Sequence, residues 1–252
     1  MKPGYSVERP KNPDDCLSII DQKKYRSGVG SLNYLVKHTR PDLCNAVREL
    51  SKVLDGATDK HMQDLYRAIQ YVLNTRKYGL PIEPTHYPEI PIKDWIIEAW
   101  SDSDYATDPD SRKSVTAWEI YVNGVLVSKK SRLQKTVTLS SCEAEYIAMA
   151  EATSELLYIK QILESMGVTI QYPILLYADN QGAIFLTSNE STARTKHIDV
   201  RHHFLREMTD GPNPVIKVIY VPSTENKADP YTKNIPVNEF KKTFLEDRLK
   251  EF

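Results

Sequence analysis

The segment "ILLYADNQGA", Ile174–Ala183, decides the class of fold. Ile174 to Ala178 form a short apolar run of the kind that makes a buried strand, and the run stops on a bare carboxylate, Asp179. Asn180 and Gln181 then open a helical stretch, "NQGAIFLTS". A buried strand that passes straight into a helix is half of a parallel crossover, which calls for an α/β architecture. Its surroundings agree. Downstream, "HIDVRHHFLREM" reads as a further helix and "VIKVIYV" as the next strand. Upstream, Ser141 can cap a long helix reaching Met166, with Ala152, Leu156, Ile159, Leu163 and Met166 on one apolar face and Gly167 as its stop. Before it come "WIIEAWSD", then "TAWEIYV" and "VLVSKK" around the type I′ hairpin signal Asn123-Gly124, with "KTVTLS" as a further strand. Antiparallel strands therefore come first, and a parallel pair is added through helices.

The rest of the chain has a different texture. "PIEPTHYPEIPIKDW" carries Pro81, Pro84, Pro88 and Pro91, which no helix interior accepts, so residues 81–94 read as a semi-rigid linker. Residues 1–22 read as an irregular lead-in and 23–80 as a small helical module. In that module one helix carries Leu32, Leu35 and Val36; a second opens at Pro41-Asp42, and a third is capped by Thr58. Lys23, Lys24, Arg26, Lys37, Arg40, Arg48, Lys52 and Lys60 are expected on helix surfaces, as solvated charges or as contacts to phosphates. Residues 95–235 make the α/β domain, and 236–252 a C-terminal helix.

Bulk properties narrow the class. The 252 residues are 40% hydrophobic, enough for real cores, and the net charge of -1 rules out a global basic field. Any nucleic-acid contact must be local. No apolar run reaches about 18 residues and the N-terminus has no apolar signal core, so no membrane segment is expected and an intracellular location is. Cys16, Cys44 and Cys142 are odd in number and widely spaced, which fits free thiols and neither a disulfide framework nor a structural zinc site.

Acids interrupt the apolar elements at four places. Asp102 ends the first strand, Glu145 occupies the first turn of the long helix, Asp179 ends the "ILLYA" strand, and Asp229 follows the last strand. Sites in α/β folds gather at such strand ends. Carboxylates drawn together repel unless cations neutralise them, and hard divalent ions do so through oxygen ligands. Two Mg²⁺ or Mn²⁺ ions about 4 Å apart would support phosphodiester hydrolysis. "YADN" comes one residue short of the Tyr-x-Asp-Asp of polymerases; Asn180 replaces the second acid and the segment opens a helix, so no polymerase site is expected.

Five ordered motifs, "SDSDYATDPDSRKSV", "LSSCEAEYIAMAEA", "YADNQGAI", "RTKHIDVRHHFLRE" and "VPSTENKADPYTK", resemble the ribonuclease H domain of copia-type LTR retrotransposon Pol polyproteins. "YRSGVGSLNYLVKHTRPDLCNAVRELS" and "YRAIQYVLNTRKYGL" resemble the thumb-like helical tail of the preceding reverse transcriptase. The resemblance runs from about Tyr25 to Lys233 and makes the chain look like the carboxyl portion of a longer Pol. It implies an RNase H-like mixed five-stranded sheet with helices on both faces, acting on the RNA strand of RNA/DNA hybrids. It also implies a location in the cytoplasm, in virus-like particles, or in the nucleus, with the upstream reverse transcriptase domain as partner. Carried over, Asp102 would bridge two ions, Glu145 (rather than Glu143) and Asp179 would complete one shell, and Asp229 would serve the other; Asp104 is a neighbour of the first acid. Pro230 follows Asp229 where the family has an aliphatic residue, and "PSTENK" lacks the histidine of cellular ribonucleases H, which implies a slower or differently assisted product release.

Other residues are candidates for the nucleic acid. Arg112, Lys113 and Ser114 could grip phosphates or form a basic turn. Asn180 and Gln181 could meet 2′-hydroxyls or simply cap their helix. Lys196 and His197 are assigned to nucleic-acid contact, with packing as the alternative for His197; with His202 and His203 they lack the ligand spacing of zinc. Alternatives to the ribonuclease are a decayed or domesticated binding module and another metal nuclease of the same fold, such as an integrase or resolvase.

Overall fold

A computed structural model of the chain describes residues 5–85, 94–188 and 199–252. The chain forms two compact units: residues 1–81, 108–111 and 233–252 make one, and 82–107 with 112–232 the other.

The first unit is built on helices α1 (Ile19–His38), α2 (Cys44–Ser51) and α3 (Asp59–Asn74). Helix α1 begins earlier than residue 23 because Ser18 caps it, its Oγ accepting from the Asp21 N–H at 3.2 Å. Ile19 and Ile20 hid this first turn from the apolar pattern, since both side chains face solvent. Tyr25, Val29 and Leu32 of α1 are buried with Leu50 and Leu65, and the Tyr25 hydroxyl donates to the Leu50 carbonyl at 2.8 Å. Thr58 caps α3, its own N–H donating to His61 Nδ1 at 3.0 Å. Three of the cations expected on helix surfaces are internal pairs instead. Buried Arg40 grips Asp42 at 2.7 Å, while Arg48 and Lys52 both reach Glu49, at 2.9 and 3.0 Å. A buried cation needs such a partner, so these residues are structural. A short strand, β1 (Tyr78–Gly79), follows α3.

The second unit holds β2 (Ile97–Asp104), β3 (Val115–Val122), β4 (Val125–Leu133), α4 (Ser141–Ser165), β5 (Ile174–Ala178), α5 (Gln181–Ser188), α6 (Asp199–Thr209) and β6 (Ile216–Tyr220). Its five-stranded sheet has the order β4-β3-β2-β5-β6; the β4-β3 and β3-β2 pairs are antiparallel, β2-β5 and β5-β6 parallel. This is the expected mixed sheet. Asn123 and Gly124 turn the β3-β4 hairpin with φ of 48° and 81°, as a type I′ turn requires. "KTVTLS" is not a strand. β4 stops at Leu133, and the polar side chains of the segment serve its neighbours: Thr138 shares a 2.8 Å hydrogen bond with Ser114, and Ser140 caps α4 by accepting from the Glu143 N–H at 3.1 Å. The cap thus falls one residue before Ser141.

One core lies between the sheet and its helices. Ile97, Ala99 and Ile120 from the antiparallel strands and Leu176 from β5 pack with Tyr146, Met149 and Leu156 of α4 and Leu205 of α6. Alternation sends Trp100 to the other face, where it stacks on Tyr177 at 4.7 Å and meets Tyr121 edge-on at 5.3 Å. The 3-10 turn Asp229–Tyr231 packs against β2 and β3.

Residues 236–252 are not one helix. Helix α7 (Val237–Phe240) runs into a π-helical turn, Lys241–Glu246, and β7 (Lys250–Glu251) then pairs antiparallel with β1. Leu249 is buried, and the Phe252 N–H donates to the Lys77 carbonyl at 2.9 Å. Extended backbone satisfies both demands, which a continued helix would not.

Candidate active site

Parallel neighbours β2 and β5 finish at the same edge of the sheet, and this places the acids. Asp102 sits near the carboxyl end of β2 and Asp179 directly follows β5. Helix α4 puts Glu145 beyond its first turn; the acid in the first turn is Glu143, whose Oε2 accepts from the Leu139 N–H at 2.7 Å and helps to cap the helix. Asp102, Glu145 and Asp179 each offer a carboxylate oxygen, and the three atoms lie within 4.8 Å of one another. Asp102 and Glu145 are buried, while Asp179 is half-buried.

Each oxygen has a distinct environment. Glu145 Oε1 accepts from the Ser103 N–H at 3.0 Å and from its hydroxyl at 2.9 Å. Glu145 Oε2 is buried without a hydrogen-bond partner. Asp102 Oδ2 accepts from the Thr232 hydroxyl at 2.8 Å, and Oδ1 lies 3.4 Å from Asn226 Nδ2. Burial first, and then the charges of Asp102 and Asp179, push the Glu145 carboxyl well above the usual carboxylate range; the Ser103 bonds oppose the rise. An all-oxygen cluster with one unsatisfied buried carboxylate oxygen fits a hard divalent cation, which would supply the missing partner and cancel the repulsion.

Asp229 opens its 3-10 turn in the loop that also supplies Asn226 and Thr232 to Asp102, but it is not one of the three acids within 4.8 Å. Pro230 falls in the first turn of that element, where a missing N–H costs no intrahelical bond. Asp104 is half-buried and outside the cluster. Ser114 is corrected: it is fully buried, its hydroxyl accepting from the Ala106 N–H at 3.0 Å and bonded to Thr138, so it cannot reach a phosphate. Arg112 is exposed on the same β2-β3 loop with φ of 56°, and Lys113 is half-buried. Asn180 caps α5, its Oδ1 accepting from the Ala183 N–H at 2.9 Å; Gln181 beside it is exposed. Lys196 and His197 lie outside the described residues. Sequence reasoning missed Ser103, Asn226 and Thr232. Their one visible signal is that they stand within three residues of an acid, in "DSD" and "NKADPYT".

Sheet order and acid cluster together define an RNase H-like α/β protein with a carboxylate centre. No family model matches the chain. It is 38% identical over 232 residues to the retrovirus-related Pol polyprotein from transposon TNT 1-94 of Nicotiana tabacum, covering 89% of this chain and 17% of that protein. It is 32% identical over 241 residues to the counterpart from transposon RE1 of Arabidopsis thaliana, covering 93% of this chain and 16% of that one. Over about nine-tenths of its length the chain is homologous to these retrovirus-related Pol polyproteins of copia-type transposons, and it spans about a sixth of their length. Among solved structures, a ribonuclease H1 isolated from compost covers 55% of this chain and 93% of its own at 15% identity, with a TM-score of 0.42, too loose an overlay to bear on mechanism. No helix among the described residues is long and apolar enough to cross a membrane.

Proposed function

We propose that the second unit is a ribonuclease H that hydrolyses the RNA strand of RNA/DNA hybrids during the reverse transcription of a copia-type element. The observation that carries this reading is the convergence of Asp102, Glu145 and Asp179 on one pocket with a buried, unsatisfied oxygen. These three residues would hold divalent ions, Mg²⁺ or Mn²⁺, with Asp229 as the fourth acid. Two such ions, when bound, supply an activated water and charge stabilisation for the leaving oxygen. The protein's own work is positional. Ser103 fixes the rotamer of Glu145 through two bonds to Oε1, which leaves the buried Oε2 without a hydrogen-bond partner and available to a cation. Half-buried Asp179 marks the side from which a phosphate can approach. Gln181, exposed beside it at the start of α5, is suited to a 2′-hydroxyl, and Arg112 and Lys113 to flanking phosphates. With a net charge of -1 the chain has little long-range attraction for a polyanion, so the upstream reverse transcriptase domain is proposed to supply most of the grip.

The test is a strand-labelled hybrid incubated with the protein with and without Mg²⁺, beside Asp179→Asn. Cutting of the RNA strand alone is expected, dependent on metal and reduced at least about 100-fold by the substitution, the scale at which losing a charge-stabilising group is felt. Hybrid binding that persists without metal, with no cutting when metal is added, would favour a binding module. Equal cutting by the variant would rule the mechanism out.

A further inference from the structure

The loop that carries Asp229 is clasped to the sheet at several points. Asn226 Nδ2 donates to the Ser101 carbonyl at 2.9 Å, and the Lys227 ammonium lies 3.9 Å from the Trp100 ring centroid and 4.5 Å from that of Tyr121. The Tyr231 hydroxyl donates to buried Glu119, and the Tyr231 carbonyl accepts from Ser131 Oγ at 2.6 Å. Packing alone would account for these contacts. Thr232 differs, because its hydroxyl touches the chemistry.

Thr232 Oγ1 lies 2.8 Å from Asp102 Oδ2 and also 2.8 Å from the Asp229 carbonyl oxygen. A hydroxyl has one proton, so it must divide it between the carboxylate of the first acid and the backbone of the fourth. Thr232 and Asp102 are both almost wholly buried, so neither contact is diluted by water. A bond to an ionised carboxylate is the stronger of the two kinds and holds Asp102 in one rotamer. We propose that Thr232 is a positioning residue, whose hydroxyl presets Asp102 to receive a divalent cation and ties it to the turn bearing Asp229. The proposal rests on the ribonuclease reading for its purpose, but not for its test. Partners of metal-ligating groups typically change affinity by about 10- to 100-fold when removed.

The experiment measures Mn²⁺ binding to the full chain by electron paramagnetic resonance, without substrate, for wild type, Thr232→Val, Thr232→Ala and Thr232→Ser. Valine keeps the shape and loses the hydroxyl, whereas serine keeps the hydroxyl and loses the methyl. Affinity is expected to fall about 10-fold or more for Val and Ala, and to stay within about two-fold for Ser. The metal concentration needed for half-maximal hybrid cutting should rise in the same order. If the Val variant fails to fold, the Ala-Ser pair decides the question. Wild-type affinity in Val and Ala overturns the proposal alone, as does a loss in Ser equal to theirs. A wild type that takes up no Mn²⁺ overturns both the proposal and the ribonuclease reading. Because the comparison needs no substrate, it decides the role of Thr232 whether or not the hybrid is cut.

Discussion

Glu145 carries the largest local cost in the site, a buried carboxyl beside two others with one oxygen unmatched. Its folded-state pKa lies above its unfolded value, near about 4.3. Without metal, this group therefore favours folding below that value, and the contribution is lost as pH rises through the raised folded pKa. Glu145→Gln cannot ionise, and its amide can donate to Asp102 or Asp179. In EDTA at pH 7 the variant should exceed wild type in urea-unfolding stability by about 1 kcal/mol or more, with the gap closing below about pH 4. Saturating Mg²⁺ should reverse the order. A variant less stable than wild type at pH 7 in EDTA would contradict this electrostatic account. At this scale Asp102, Glu145 and Asp179 were legible only as a set: any one acid at a strand end or early in a helix can serve as a turn or cap, whereas several on one sheet edge call for a neutralising cation. Ser114 was misjudged since a serine beside two basic residues looks the same whether it faces a phosphate or the interior. Thr232 was missed because its partner lies 130 residues away in sequence.

The hairpin and the long helix show what local sequence can and cannot decide about an element. Asn123-Gly124 was readable because the type I′ turn demands positive φ at both positions, a constraint intrinsic to the backbone. It is also specific to glycine: at φ of 81°, a Cβ on Gly124 would stand 1.9 Å from Thr85 Oγ1. Gly124→Ala is expected to destabilise the second unit by about 1 kcal/mol or more, measured by urea unfolding. An unchanged midpoint would contradict the steric argument. "KTVTLS" misled because β-branched threonines favour strands in isolation, whereas here Thr138 is used as a hydrogen-bond partner of Ser114. The C-terminal segment misled for a related reason: its helical spacing is real over Val237–Glu246, but burial of Leu249 and pairing with β1 are tertiary demands.

For the whole molecule, the order of elements along the chain was enough to specify a mixed α/β sheet, because crossovers have few permitted routes. The division into units was less legible. Residues 108–111 and 233–252 belong with the helices of the first unit, although 108–111 lie inside one motif of the second and 233–252 begin at the last residue of another. Asp108, bonded to Lys52 at 3.1 Å, and Asn234, bonded to Asn45 at 2.6 Å, show the cause: ion pairs and amide contacts between distant residues leave no periodic trace. The same long-range folding brings Asp102, Glu145 and Asp179 together, and the function proposed above depends on that meeting. Crystals grown with Mn²⁺ and measured at the manganese absorption edge test it most directly. The expected result is anomalous density within about 2–2.5 Å of carboxylate oxygens from all three residues, abolished in Asp179→Asn. Protein that cuts the hybrid yet shows no manganese between these acids at saturating metal would contradict it.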